Sequence, residues 1–163
     1  MATETDLYEE DFIGWTEQQA KVLREAARHP TNLALDWEHL AEEIEDAGRF
    51  YRRTLANHVR LVIEHLLKLE FSPASEPRRG WTETVIRARG EIETWLADEP
   101  GLRRRLPGII EQERPHVAKL AAKGLLDFSD NSPGVQARLQ CGLYTDEQIR
   151  SDWLPDARAV PPG

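Results

Sequence analysis

The chain has 163 residues, 40% hydrophobic and 31% charged, with a formal net charge of -8 and a pI near 5.2. That length suits one domain with a real core and is short for two, and the composition excludes wholesale disorder. The acidic balance opposes a nucleic-acid partner, because gripping phosphates takes a basic face able to displace counterions.

From the N-terminus, MATETDLYEEDF is too acidic for a secretory leader, and no apolar run approaches the roughly 20 residues that a membrane-spanning helix needs. The single Cys141 cannot form an intrachain disulfide, which suits a reducing compartment. A cytoplasmic protein with no membrane partner is expected. Phe12, Trp15, Gln19, Val22, Leu23 and Ala26 recur at steps of three and four behind Asp11 as an N-cap. This predicts an amphipathic helix over about residues 9–28, closed by His29-Pro30. Asp36 then caps a second stripe, Trp37, Leu40, Ala41, Ile44 and Ala47. If Gly48 is tolerated, the stripe runs on through Tyr51, Leu55, Val59, Val62, Leu66 and Leu69 to about Phe71. One long helix with at most a kink is expected.

Residues 72–81, SPASEPRRGW, read as a loop carrying Arg78 and Arg79. From Thr82, the spacing of Val85, Ala88, Arg89, Ile92, Trp95 and Leu96 predicts a helix that Pro100-Gly101 closes. Leu102, Leu106, Ile109, Ile110, Val117, Leu120 and Ala121 predict a last long helical region up to Gly124, broken or bent at Pro107 and Pro115. Asp127 to Gly134 is loop chemistry, and Thr145 with Gln148 forms a capping box opening a short final helix. The tail, residues 156–163, is expected to fray. No period-2 run, hairpin signal or fixed-period repeat occurs. The expected fold is all-α: one domain, core about residues 7–155, as an antiparallel bundle of about four to six helices with an irregular C-terminal segment.

Several blocks carry a family resemblance: Leu7-Tyr8-Glu9-Glu10-Asp11-Phe12 with Trp15, then Asp36-Trp37 followed by Leu40-Ala41-Glu42-Glu43-Ile44-Glu45, then His65-Leu66-Leu67-Lys68. Trp81, Arg89 and Ile92, the Pro100-x-Leu102 step, and a closing Tyr144-Thr145 with Gln148, Ile149, Leu154 and Pro155 complete it. From about Leu7 to Pro155 the chain resembles the bacterial family called domain of unknown function 29. The resemblance implies a small, helical, cytoplasmic bacterial protein and supplies no reaction. The chain departs from the pattern in three places. Members usually flank the arginine matching Arg89 with Gln and Arg, where this chain has Ala88 and Gly90. They carry a Tyr where Arg114-Pro115-His116 stands, and Cys-Pro where this chain has Cys141-Gly142.

The stretch AEEIE, Ala41 to Glu45, sets three carboxylates in five residues upstream of His58 and His65. At about 100° per residue, Glu42 lies nearly opposite the apolar face, and Glu43 and Glu45 lie on its borders. They cannot converge on one ion, since ligands on one helix lie three or four residues apart. A solvated face is expected, with Glu45 pairing with Arg49 and Asp46 with Arg49 or Arg53. His58 and His65 are separated by roughly 10 Å of axial rise, and each is expected to make a polar tie inside the bundle, to a group such as Glu43 or Trp81. The single Glu113-x-x-His116 contains Pro115, Cys141 lacks a catalytic signature, and no glycine-rich phosphate loop exists. The run Arg103-Arg104-Arg105 is expected to face solvent or complement a helix end. Arg78, Arg79 and Trp81 are a candidate contact for a partner or an anion.

Two functional expectations follow. One is a protein–protein interaction module that binds another protein, or a second copy of itself, through an apolar groove edged with charge. Trp15, Trp81 and Trp153 are assigned to the core rather than to that groove. The rival is an enzyme or metal-binding protein centred on Glu43 and His65, supported by Glu42, Glu45, His58 and Arg89. The sequence points to no cofactor and to no metal site.

Overall fold

Asp11 separates two helices that the sequence pattern runs together. In the computed structural model, which describes residues 4–29, 32–123 and 133–156, α1 spans Glu4–Glu10 and α2 spans Phe12–Ala27. The break has a local cause: Asp11 Oδ1 accepts the Gly14 amide at 2.9 Å, so its side chain restarts the helix as an N-cap. Next comes α3, Trp37–Phe71, 35 residues without interruption through Gly48. Asp36 caps it, taking the His39 amide on Oδ1 at 3.3 Å.

The loop after α3 is shorter than the proline spacing suggests. α4 spans Arg78–Asp98, so Arg78 and Arg79 are helical rather than at a loop tip. The Arg78 guanidinium donates to the carbonyls of Leu69, in the last turn of α3, and Ser72, just beyond it, where its charge also suits the helix dipole. α5, Pro100–Ala122, stays one helix through Pro107 and Pro115 instead of breaking. Both prolines are exposed, so the carbonyls they leave unpaired can be hydrated. Pro100 occupies the first turn, where a missing amide costs nothing, and Glu99 Oε1 accepts the Gly101 amide at 3.0 Å.

Pro133–Gln140 forms α6, a helix the sequence pattern does not predict, and Asp146–Arg150 forms α7 behind the expected Thr145–Gln148 capping box. The all-α expectation holds: among the described residues there are seven helices and no strand. Residues 127–132 of the expected loop and 157–163 of the expected frayed tail lie outside the described residues.

The chain falls into two compact units, each discontinuous in sequence. Unit 1 is Met1–Leu55 with Trp95–Leu106, and unit 2 is Ala56–Thr94 with Pro107–Gly163. Of the 24 buried hydrophobic side chains among the described residues, 17 belong to unit 2, so unit 1 has much the thinner core. In unit 2, α3 contributes Val59, Val62, Ile63, Leu66 and Leu67, the i, i+3, i+4 spacing of an inward face. In unit 1 the central feature is a close approach of α2 to α3. A Cβ on Gly48 would collide with the Thr16 hydroxyl, and Thr16 is itself fully buried and bonded to the Ile13 carbonyl at 2.8 Å. Gly48 therefore serves packing, not bending.

Candidate functional site

The N-terminal half of α3 buries a different face from the one its apolar stripe suggests. Ala41, Gly48 and Leu55 are buried, Trp37 and Ile44 are half-buried, and Leu40 and Ala47 are exposed. The close packing at Gly48 sets this rotation. It leaves Leu40, Glu43, Ala47 and Phe50 within one exposed arc of the helix, since these positions recur at steps of three and four.

Phe50 opens onto a larger cluster. The chain has five Trp, three Tyr and four Phe, and half of these aromatic rings lie in one connected group in unit 1 that contains no buried member. Trp15 stacks on Phe12 at 5.7 Å between centroids and takes the Tyr8 edge at 4.8 Å. Phe12 meets Tyr51 at 5.5 Å, Tyr51 meets Trp95 at 5.7 Å, and Phe50 contacts both Tyr51 and Trp95 at 6.0 and 6.3 Å. Tyr8 is 47% exposed and Phe50 59%, although edge-on ring contacts of this kind usually belong to cores and interfaces. Trp15, expected in the core, is instead half-buried at this surface. Its position reflects the thin core of unit 1, which has little depth in which to bury a large ring.

Charge borders the cluster. Asp11 receives Arg104 and Arg105, each at 2.8 Å, besides the Gly14 amide. Burial pushes the Asp11 carboxyl up, but the amide and the two guanidiniums outweigh it and hold the group below the usual range. Glu45 takes Arg24 at 2.6 Å and Arg49 at 3.7 Å, and Asp46 takes Arg49 at 2.5 Å. The hydrogen bond from Arg24 lowers the Glu45 carboxyl. The pairings expected for Glu45 and Asp46 with Arg49 are therefore present. Glu42 and Glu43 are exposed and have no ion-pair partner among the described residues.

The other residues singled out from sequence are scattered. His65 belongs to unit 2 and Glu43 to unit 1, 22 residues apart in the chain. Its Nδ1 contacts the Leu61 carbonyl at 2.9 Å rather than Glu43 or Trp81, and burial lowers its pKa against that bond. His58 is half-buried on the same helix. Arg79 pairs with Glu83 at 2.9 Å, and Trp81 is half-buried with the Lys68 ammonium 6.0 Å from its ring. Trp153 is also half-buried, 5.9 Å from the Tyr144 ring. Among the described residues no group of three His, Cys, Asp or Glu is placed to hold a metal ion.

Two polar networks stand out among the described residues of unit 2, and of the candidate site residues only Arg89 belongs to one. Arg89 is buried and donates to the carbonyls of Ile149, Gln148 and Trp153 at 2.9, 2.6 and 2.8 Å, closing the end of α7. Desolvation lowers its pKa, and its three acceptors are neutral carbonyls. Glu70, also buried, receives the Arg138 fork at 2.6 and 3.2 Å and the Tyr144 hydroxyl at 2.8 Å. Arg138 and Arg114 line a shallow cleft of about 260 Å³ beside Cys141 and Gln148. Both guanidiniums are already committed there, Arg138 to Glu70 and Arg114 to Glu111, Asp146 and the Tyr144 carbonyl. The aromatic face of unit 1, by contrast, leaves all six of its rings partly in water.

The sequence profile described as Domain of unknown function DUF29 matches residues 7–154. The chain belongs to this family. The DUF29 match encloses the aromatic face, Arg89 and the Glu70 network alike. Among solved structures, the chain resembles an alpha-helical protein of unknown function from Rhodospirillum rubrum ATCC 11170, with 26% identity, 88% of each chain covered and a TM-score of 0.57. No curated protein matches it. Among the described residues no helix is long and apolar enough to cross a membrane.

Proposed function

We propose that this DUF29 chain is a protein–protein interaction module whose docking surface is the open aromatic face of unit 1. The observation that supports this is the six-ring cluster without a buried member, extended along α3 by Leu40 and Ala47. Aromatic rings are enriched at the centres of protein interfaces because they bury much area for little conformational entropy. A monomer gains nothing by leaving such rings half in water. Charged residues rim the face, as at other interfaces. The rival centred on Glu43 and His65 has no comparable support, since the two carboxylates of greatest interest, Glu42 and Glu43, are solvated and His65 is tied to its own helix.

The test is photocrosslinking in the source cell with p-benzoylphenylalanine at position 50, and at exposed Arg87 of unit 2 as control. The expected result is a discrete adduct from position 50 that is absent from position 87. Equal or absent adducts at the two positions overturn the reading.

A further inference from the structure

We propose that the partner segment seated on this face is a basic amphipathic peptide: apolar side chains for the rings, Lys or Arg for the rim. This rests on the interaction reading above and adds the chemistry of the partner. The ground for it is charge. Unit 1 holds 15 Asp or Glu against nine Lys or Arg, a net -6 out of the chain's -8. Ion pairing within the unit does not use up the excess. Glu9, Glu10, Glu38, Glu42, Glu43 and Asp98 are exposed carboxylates without an ion-pair partner among the described residues, against Lys21, Arg53 and Arg103 as exposed cations in the same condition, Arg103 donating to the Leu96 carbonyl.

Several of these carboxylates lie next to the rings in the chain or on the same helix face. Glu9 and Glu10 follow Tyr8 directly, Asp98 lies one helical turn beyond Trp95, and Glu43 shares the exposed arc of Leu40, Ala47 and Phe50. An apolar strip with unpaired acids at its edges complements a helix or extended segment with the opposite rim, and an arginine there can also lie over an exposed ring. A second copy of the chain fits less well, because it would bring two faces of the same sign together.

The probe is a synthetic helix-forming peptide of about 16 residues with Leu at i, i+3, i+4 and i+7 flanked by Lys and Arg. Two control peptides accompany it, one with Glu for every Lys and Arg and one with Ser for every Leu. Binding to the full chain is followed by calorimetry and by emission from the tryptophans of the face, Trp15 and Trp95. The basic peptide is expected to bind about tenfold or more tighter than either control and to weaken as salt rises. Phe50→Ala is expected to weaken it, and so is the combination Glu9→Gln, Glu10→Gln, Glu43→Gln and Asp98→Asn. All five positions are exposed or outside the core, and circular dichroism checks that the fold persists. Equal binding of the Glu control overturns the inference and leaves the interaction reading standing, which crosslinking at position 50 tests separately. Binding indifferent to Phe50→Ala, or no binding of any peptide, overturns it too. Sedimentation showing a dimer that Phe50→Ala dissolves overturns it in favour of a second copy.

Discussion

The Thr16 hydroxyl stands where a Cβ on Gly48 would have to go. This contact sets the rotation of α3 in unit 1: with Gly48 turned inward, Leu40, Ala47 and Phe50 are carried outward. The aromatic surface is thus a consequence of helix packing rather than of composition alone.

Gly48→Ala sets two effects in opposition. Helix propensity favours Ala by about 1 kcal/mol, and overpacking costs about 1–3 kcal/mol. Overpacking is expected to win, because Thr16 is fully buried and cannot swing into solvent. The variant should lose up to about 2 kcal/mol in denaturant titration, and adding Thr16→Ala should recover most of it. Unchanged or increased stability of the single variant refutes the packing role of Gly48.

Asp11 should contribute to acid sensitivity. Its folded pKa lies below the unfolded value of about 3.9, so its stabilisation is present above that pH and is lost as pH falls through the folded value. Asp11→Asn keeps an N-cap but gives up the charge that Arg104 and Arg105 meet. At neutral pH it is expected to cost about 1–3 kcal/mol, with the gap to the parent closing below about pH 4. Asp11→Ala should cost about 1 kcal/mol more, at acid pH as well. A gap independent of pH means that the charge contributes nothing.

His65 predicts a second, milder dependence. Its folded pKa is depressed, so the unfolded chain takes up the proton first and stability declines as pH drops below about 6.5. Denaturant titration at about pH 7.5 and about pH 5.5 should show a smaller loss for His65→Gln than for the parent chain. Identical losses would mean that the imidazole titrates normally.

Arg89→Ala strands three carbonyls at the end of α7. The expected cost is about 2–4 kcal/mol, with faster amide exchange over residues 145–153. Arg89→Lys should not restore it, since one ammonium cannot reproduce the planar fork. Full rescue by Lys, or unchanged exchange there, would count against the clamp.

The sequence alone determined most of the helices and the residues that cap them. Asp11, Asp36 and Thr145 each cap through an amide only three residues away, and the stripe through Leu55 to Leu69 predicted α3 whole, because those forces act within a turn or two of the chain. α6 escaped because its few apolar residues make no periodic stripe. The tertiary structure alone decided what faces outward and what the buried charges hold. Arg89 finds its carbonyls 59 to 64 residues away and Glu70 its arginine 68 away, and nothing in the local spacing indicates such partners. Which side of α3 meets water in unit 1 depended on Thr16 pressing against Gly48, a fit set by shape across two helices rather than by the polarity of either.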